Sequence, residues 1–250
     1  MKNVLLCGAN GKMGNVIFSC LKEREDLVVA AGVDINTEPV NGFPVYKTAM
    51  ECKEKIDVII DYSHPSSLDG LLEYAVKNNV PVVIATTGYN PEQIKKIEDA
   101  SKVIPVFFSF NMSLGINLLA ELAKKAASFL GDQFDIEIVE KHHNRKLDAP
   151  SGTALLLADA INEEVGNSKE YVYDRHSVRR KREKKEIGIS SIRGGTIVGE
   201  HEIIFAGHDE IITLSHTAMS REIFAVGSIN AAAYMADCDK AGLYRMSDLL

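Results

Sequence analysis

The chain has 250 residues, of which 46% are hydrophobic and 25% are charged, and its net charge is −7. This composition supports one large core or two modest ones and excludes a disordered chain. Binding to nucleic acid is not expected, because phosphate contacts need a basic face, and no apolar run approaches the roughly 20 residues of a membrane span.

The first 112 residues alternate short apolar runs with amphipathic helical patterns. Short β-branched runs between helices are typical of βαβ units and predict a Rossmann-like, doubly wound parallel sheet. One helix has a clear start signal, because Asn90 can cap it, Pro91 suits its first position and Gln93 completes a capping box. The predicted strands are Asn3–Cys7, Leu27–Val33, Val58–Asp61, Val82–Ala85 and Val103–Phe107, and the predicted helices are Met13–Lys22, Ser66–Lys77 and Pro91–Ala100.

The pattern changes after Phe110, where a long helix, a strand and a second helix are followed by strands without intervening helices. This arrangement predicts a second α+β domain with a mixed or antiparallel sheet. We expect residues 1–112 and 222–250 to form a dinucleotide-binding domain and 113–221 to form a domain for substrate binding and oligomerisation. The predicted elements are helices Ser113–Leu130, Ser151–Glu164 and Ile223–Asp237, and strands Phe134–Val139, Ile187–Ile192, Thr196–Phe205 and Glu210–His216.

A glycine-rich loop follows the first predicted strand and leads into a helix. Gly8 permits a tight turn, Gly11 lets the backbone approach a pyrophosphate, and Gly14 lets the helix lie close to the strand. Free N–H groups at the start of the helix, together with its dipole, favour an anion there. The loop therefore predicts a dinucleotide site whose contacts are Gly8, Ala9, Asn10, Gly11, Lys12 and Met13.

The choice of cofactor depends on the end of the second predicted strand. Asp34 is placed to accept hydrogen bonds from the ribose hydroxyls. Its carboxylate repels a 2′-phosphate and the next residue is Ile35, so NADH is favoured, although Lys12 could still attract that phosphate and NADPH stays open. Two strand-end loops are expected to border the cofactor, with ordinary turns as the alternative. Their residues are Ala85, Thr86, Thr87, Ser109, Phe110, Asn111 and Met112.

The densest group of polar residues lies between Glu140 and Thr153. Histidine exchanges protons near neutral pH, so the pair His142 and His143 suits acid–base chemistry. Lys146 adds a positive charge, and the N-terminus of the helix that begins near Ser151 offers N–H groups to a carboxylate. The pattern predicts an anion receptor with a proton donor beside it. A polar surface loop with a helix cap is the alternative.

Other chemistry is less well supported by the sequence. No metal is expected, because neighbouring histidines on a strand point to opposite faces and no third ligand has a familiar spacing. The four cysteines form no close pair, which favours reduced thiols and a cytoplasmic protein. We interpret the basic run 175–185 as a solvated loop, with attraction of a dianionic substrate as the alternative. Residues 193–195 are interpreted as a turn, and the remaining histidines as structural or surface residues, namely His64, His176, His201, His208 and His216.

Five motifs together resemble one enzyme family, the 4-hydroxy-tetrahydrodipicolinate reductases of lysine and diaminopimelate biosynthesis. The motifs are GANGKMG at 8–14, ATTG at 85–88, SFNMSLGIN at 109–117, EKHHNRKLDAPSGTAL at 140–155 and GGTIVGEH at 194–201. The resemblance implies NAD(P)H-dependent reduction of a cyclic dicarboxylate imine and a homotetramer. It implies that His142 is the proton donor or acceptor, that Lys146 is a second catalytic or substrate-binding residue, and that the substrate carboxylates contact His143, Gly152 and Thr153.

Two departures from the family concern the cofactor: Ile35 stands where several members carry Arg, and Lys12 where Arg is frequent. Two other functions stay open on the sequence. The first is the function of another two-domain nicotinamide enzyme, such as an aspartate or homoserine dehydrogenase. The other is non-catalytic NAD(H) sensing, which would need the glycine loop but not the paired histidines and Lys146.

Overall fold

The computed structural model describes residues 1–39 and 41–249, and the chain divides into two compact units. The first unit comprises residues 1–114 and 222–250, and the second comprises 115–221. Both chain ends therefore belong to the first unit. Among the described residues, no helix combines the length and the apolar character that crossing a membrane requires.

The elements alternate between strand and helix in the first hundred residues and then become richer in strands. The strands are β1 (Lys2–Cys7), β2 (Leu27–Val33), β3 (Val45–Tyr46), β4 (Val58–Asp61), β5 (Val82–Ile84), β6 (Pro105–Phe108), β7 (Asp135–His142), β8 (Glu170–Val172), β9 (Glu186–Arg193), β10 (Gly199–Ala206), β11 (Ile211–Ala218) and β12 (Gly242–Tyr244). The helices are α1 (Lys12–Leu21), α2 (Leu68–Asn78), α3 (Pro91–Ala100), α4 (Leu114–Leu130), α5 (Gly152–Glu164) and α6 (Glu222–Met235).

The first unit contains a seven-stranded parallel sheet in the order β12-β6-β5-β4-β1-β2-β3. Alternate residues of a strand face opposite layers, and both layers here are apolar. Leu6 packs with Ile17 of α1 and Ala232 of α6, whereas Leu5 packs with Leu72 of α2 and Ile97 of α3. Helices on both faces of a parallel sheet confirm the predicted doubly wound architecture.

The differences from the predicted elements of the first unit have local causes. The strands β3 and β12 were not predicted, because two or three residues carry no periodicity that could reveal them. The strand predicted from Val103 begins only at Pro105. The backbone N–H groups of Val103 and Ile104 both bond to the carbonyl of Ala100, so the end of α3 extends into this segment.

The second unit contains a five-stranded mixed sheet in the order β11-β10-β7-β9-β8. The central strand β7 runs antiparallel to β10 and parallel to β9. Its alternate residues are buried, and Ile138 packs with Phe205 of β10, Ala123 of α4 and Leu157 of α5. The predicted mixed sheet is therefore confirmed. The strand predicted from Thr196 begins at Gly199, and β8 was not predicted.

The basic run 175–185 folds back onto carboxylates of the same unit. Arg175 and Arg180 pair with the buried Glu186, and Arg182 pairs with Glu137 near the beginning of β7. The rise of a strand, about 3.3 Å per residue, puts Glu137 on the order of 16 Å from His142 at the other end of β7. The cations of this run therefore hold the loop against the sheet.

Candidate functional site

The glycine loop of the first unit is closely packed against backbone on its inner side. Gly8 has a φ of +77°, and a Cβ there would lie 2.4 Å from the carbonyl oxygen of Tyr62. A Cβ at Gly14 would lie 2.2 Å from the carbonyl oxygen of Gly8. Both positions require glycine, because no side chain fits at these distances, and Gly8 also lies in the left-handed region that only glycine adopts freely.

The start of α1 fits an anion. The helix begins at Lys12 after Gly11, which provides no side-chain cap, and its first turn has no acidic residue. Gly11 and Lys12 are exposed. Uncapped N–H groups and the positive end of the helix dipole are what a pyrophosphate requires, so the residues present fit a dinucleotide.

Asp34 is oriented by hydrogen bonds from the glycine loop and from its own turn. Its carboxylate accepts from the backbone N–H of Asn10 at 3.0 Å and from that of Asn36 at 3.1 Å. The side-chain amide of Asn10 donates to the carbonyls of Asn36 and Glu38, while its Oδ1 is buried with no partner among the described residues. The side chain of Ile35 is 95% exposed. The structure thus brings Asp34 beside the glycine loop, as the sequence predicts.

A fully buried carboxylate, Asp61 at the end of β4, organises the loop at 85–88. It accepts hydrogen bonds from the hydroxyl of Thr86 at 2.7 Å, from Tyr89 at 3.3 Å and from the backbone N–H of Ser63 at 3.2 Å. Burial raises the pKa of Asp61, and the hydrogen bonds oppose that rise. The hydroxyl of Thr86 therefore faces inward, and Thr87 is the exposed hydroxyl of this loop.

The loop at 109–112 is held by its own polar groups. The hydroxyl of Ser109 donates to the carbonyl of Asn111, and Oδ1 of Asn111 accepts from the N–H of Ser113. Phe110 is 54% exposed and packs edge-to-face on Phe108. The predicted cofactor residues with buried side chains are Ala9, Ala85, Thr86, Asn111 and Met112, and those at least partly exposed are Gly8, Asn10, Gly11, Lys12, Met13, Asp34, Thr87, Ser109 and Phe110.

In the second unit, His142 is the last residue of β7 and is buried beside two charged residues. Its Nδ1 lies 2.6 Å from Oε2 of Glu140, which is on the same face of the strand two residues earlier. Arg193 donates two hydrogen bonds of 2.7 Å to the same carboxylate. Burial would raise the pKa of Glu140, but the hydrogen bonds from Arg193, Ser191 and His142 lower it to about 2.

The cluster formed by Glu140, His142 and Arg193 also contains a second histidine, His201 of β10. Its ring packs edge-to-face on that of His142 at 5.2 Å, and its Nε2 lies 3.0 Å from Oγ of Ser151. The Ser151 hydroxyl also accepts from the backbone N–H of Ala154 and so caps α5, which was part of the alternative interpretation of this segment. Burial and the neighbouring His142 lower the pKa of His201 to about 4, so this ring is neutral at pH 7.

Lys146 and the start of α5 hold a carboxylate of the chain itself. The Nζ atom of Lys146 lies 2.9 Å from Oδ2 of Asp148. The pKa of Asp148 is lowered, chiefly by Lys146 and to a smaller extent by the backbone N–H of Gly152. Asp148 is the kind of group that a substrate carboxylate would replace, so the geometry accommodates such an anion.

His143, just beyond the end of β7, is half-buried. Its Nδ1 is buried with no partner among the described residues. Partial burial and the nearby Arg145 lower the pKa of His143. The second unit thus brings together His142, His143, Lys146, Gly152 and Thr153 within one short stretch that joins β7 to α5.

Three residues of the cluster were not given a role from the sequence. Glu140 has a visible signal, because it lies two residues before His142 on the same face of a strand. Arg193 was interpreted as a turn residue, and only the register that pairs it with His142 across β7 and β9 reveals its place. His201 was grouped with structural and surface histidines and is buried in the cluster. In the described ranges, no group of three or more His, Cys, Asp and Glu side chains could hold a metal ion.

The sequence profiles of two domain families match almost the whole chain. The profile described as "Dihydrodipicolinate reductase, N-terminus" matches residues 2–112. The profile described as "Dihydrodipicolinate reductase, C-terminus" matches residues 115–250.

Individual proteins with this activity are similar over their full lengths. A 4-hydroxy-tetrahydrodipicolinate reductase of Caldanaerobacter subterraneus subsp. tengcongensis is 53% identical over 250 residues, covering 100% of this chain and 98% of its own. The corresponding protein of Clostridium novyi is 48% identical with the same coverage. A solved dihydrodipicolinate reductase from Paenisporosarcina sp. TG-14, with dipicolinate bound, superposes with a TM-score of 0.83 at 26% identity and 100% coverage of both chains.

Proposed function

Since this chain belongs to the dihydrodipicolinate reductase family, we propose that His142 and Lys146 carry the reaction that it catalyses. The reaction is the NAD(P)H-dependent reduction of 4-hydroxy-tetrahydrodipicolinate to tetrahydrodipicolinate in lysine and diaminopimelate biosynthesis. The pairing of the Asp148 carboxylate with Lys146, just before the start of α5, is the observation that carries this assignment. A dicarboxylate substrate needs such a receptor beside a proton donor.

The first unit holds the cofactor. Gly8, Gly11 and the uncapped start of α1 receive its pyrophosphate, and Asp34 receives the adenosine ribose. When bound, the nicotinamide supplies the hydride that the reduction requires. Ala9, Ala85, Thr86, Asn111 and Met112 act through their backbone and through loop shape, since their side chains are buried, whereas Asn10, Lys12, Met13, Thr87, Ser109 and Phe110 present side-chain atoms.

NADH is the preferred cofactor in this proposal. The fixed carboxylate of Asp34 disfavours the 2′-phosphate of NADPH by charge repulsion. The adjoining Ile35 is exposed and supplies no compensating cation. Lys12 is exposed at the start of α1 and is the residue that would allow residual use of NADPH.

The second unit holds the substrate. Lys146 and the N–H groups of Gly152 and Thr153 bind one carboxylate, and the half-buried His143 contacts the same group. A positive side chain and a helix N-terminus fix an anion in one orientation. They also stabilise negative charge as it develops in the transition state.

His142 holds the proton that the reduction consumes. Loss of water from the 4-hydroxy substrate gives the conjugated imine, and addition of a hydride to a ring carbon of this imine leaves an electron pair that must be protonated. The His142 ring, with one nitrogen on Glu140, can deliver that proton from the other nitrogen. The positive charge of Lys146 offsets that of the substrate carboxylate while the hydride and the proton are added to the substrate.

The test is oxidation of NADH and NADPH followed at 340 nm, with substrate generated in place from pyruvate and aspartate semialdehyde by a coupling synthase. His142→Gln and Lys146→Ala should each lower turnover by about 100-fold or more, which is the usual contribution of a positioned proton donor, while NADH binding is retained. His208→Gln, on a 97% exposed side chain, is the matched control and should keep wild-type turnover. Wild-type turnover in His142→Gln would refute the assignment.

We further propose that the chain forms a homotetramer through the sheet of the second unit. Helices α4 and α5 cover the face that carries Ile138, Ile203 and Phe205. The opposite face carries Val139 and Ile204 beside Lys141, which is paired with Glu200 and Glu202. Sedimentation should give four chains for the wild type and a smaller assembly for Ile204→Glu, because an unpaired carboxylate would be buried. Monomeric wild-type protein would contradict the proposal.

A further inference from the structure

The proposed reaction gives the buried carboxylate of Glu140 no role of its own. It is fully buried, and it lies against the ring that is proposed to hold the proton. A buried charge is costly unless it is paired and fully hydrogen-bonded. Its position directly behind His142 therefore calls for a reason beyond packing.

Every bond to this carboxylate comes from a donor. Arg193 donates two hydrogen bonds of 2.7 Å, one to each oxygen, and the backbone N–H of Ser151 donates to Oε1 at 3.1 Å. Such a paired carboxylate stays ionised and can only accept. The ring nitrogen that faces it at 2.6 Å, Nδ1 of His142, must consequently be the one that carries hydrogen.

The register of the sheet fixes the arrangement. Arg193 is opposite His142 on the parallel neighbour β9, so the guanidinium and the imidazole approach Glu140 from adjacent strands. Arg193 also donates to the carbonyl of Asp148 at 2.6 Å. One ion pair therefore links the end of β7, the end of β9 and the segment that leads to Lys146.

We infer that Glu140 and Arg193 are positioning residues that hold His142 with Nδ1 protonated, which leaves Nε2 as the atom that exchanges a proton with the substrate. The inference rests on the proposed role of His142. The Glu140 charge keeps the ring in one tautomer and one orientation, and it stabilises the protonated ring. Arg193 fixes the carboxylate and prevents it from taking the proton itself.

A purely structural ion pair is the alternative, and the same sheet offers a matched control. Glu186 of β9 is 1% exposed and is paired with Arg175 and Arg180. It is thus another buried glutamate held by arginine in the same unit. Glu186→Gln should lower stability without changing turnover or its pH dependence.

The first measurement uses the wild-type enzyme and requires no variant to fold. Long-range ¹H–¹⁵N spectra of histidine-labelled protein distinguish the two ring nitrogens, and the His142 signals are assigned by their loss in His142→Gln. The expected result is a protonated Nδ1 near neutral pH. A ring with hydrogen on Nε2 and a bare Nδ1 would overturn the inference.

The second measurement compares Glu140→Gln with Glu186→Gln. Glu140→Gln should lower kcat at least tenfold while binding of NADH and of the probe dipicolinate changes less than threefold. The pH profile of kcat/KM should also change in Glu140→Gln and stay as in the wild type in Glu186→Gln, because only Glu140 contacts the ring. The other groups facing His142 are unchanged in both variants, namely Arg193, His201, His143, Lys146 and Ser151.

The outcomes separate this inference from the proposed function. If His142→Gln loses turnover but Glu140→Gln matches Glu186→Gln in kcat and pH profile, the positioning role is wrong and the role of His142 stands. If His142→Gln keeps wild-type turnover, the proposed function of His142 is itself wrong, whatever the Glu140 variant does.

Discussion

The Nε2 atom of His142 lies 3.1 Å from the point where a Cβ at Gly199 would stand. Gly199 is the first residue of β10, so the absence of a side chain there keeps one ring nitrogen clear. This distance is shorter than ordinary van der Waals contact, which means that an added methyl group would displace the ring or block its nitrogen.

We therefore expect Gly199→Ala to lower kcat by about tenfold, since misplacement of a reacting group by a fraction of an ångström to 1 Å is costly. The stability loss should stay within about 1–3 kcal/mol, the usual range for overpacking. Turnover and urea unfolding check both parts. The control is Gly152→Ala: it has open space around its Cβ, and it should unfold at wild-type urea concentrations. Unchanged kcat in Gly199→Ala would show that the position is not restrictive.

The neutral His201 makes the second unit sensitive to acid. Its pKa is lowered to about 4 in the folded chain by burial, against a usual value of 6.5. The folded state therefore binds this proton less tightly than the unfolded state, and stability present above pH 6.5 is lost as the pH falls towards 4. The full loss from this group is on the order of 3 kcal/mol.

His201→Gln retains a hydrogen-bonding group for Ser151 but does not titrate. Urea unfolding between pH 7 and pH 4 should show a shallower decline in the free energy of unfolding for His201→Gln than for the wild type. His208→Gln removes an exposed histidine and should follow the wild-type curve. Parallel curves for His201→Gln and the wild type would contradict the explanation.

The glycine loop yields a stability prediction with an internal control. A Cβ at Gly14 would lie 2.2 Å from the Gly8 carbonyl oxygen and 2.5 Å from that of Ala9, and neither backbone atom can move away freely. Gly14→Ala should therefore cost about 1–3 kcal/mol or more and weaken NADH binding. Gly70→Ala, within α2 and in open space, should instead stabilise by about 0.5–1 kcal/mol. Thermal unfolding of both variants decides this, and an equal effect of the two would refute the steric argument.

The parts of the fold that local chemistry determines were predictable from the sequence. The predicted capping box of Asn90 and Gln93 is present, because it depends only on residues within three positions of each other. The doubly wound sheet followed from apolar runs that alternate with helices. The edge strand β3 was missed, because its two residues gain their structure only by pairing with β2.

Only the part of the candidate site that lies within one segment was predictable from the sequence. His142, His143 and Lys146 lie in one segment, so their proximity follows from sequence spacing. Arg193 lies more than fifty residues from Glu140, and its role follows only from strand register, which a single sequence does not specify. Asp61 was equally hidden, because an acid at a strand end gives no sign that it will be buried under the loop of Thr86.

The proposed preference for NADH is tested most directly at a single exposed position. Ile35 is 95% exposed beside Asp34, whose carboxylate is fixed by the N–H groups of Asn10 and Asn36. In Ile35→Arg, a guanidinium next to this carboxylate would attract a 2′-phosphate with an energy of about 1 kcal/mol or more in water. The ratio of kcat/KM for NADPH to that for NADH should therefore rise about tenfold, since 1.4 kcal/mol corresponds to a factor of ten.

Ile35→Gln separates charge from size in this experiment, because it adds polar length without charge and should leave the ratio within about twofold of the wild-type value. The gain in Ile35→Arg should also shrink as salt rises from 0.05 to 0.5 M, because exposed charges are screened. Both ratios come from the same 340 nm assay. If Arg and Gln shift the ratio equally, or if salt has no effect, the repulsion by Asp34 is not what sets the preference. The 2′-phosphate would then be discriminated elsewhere, with Lys12 as the residue to change next.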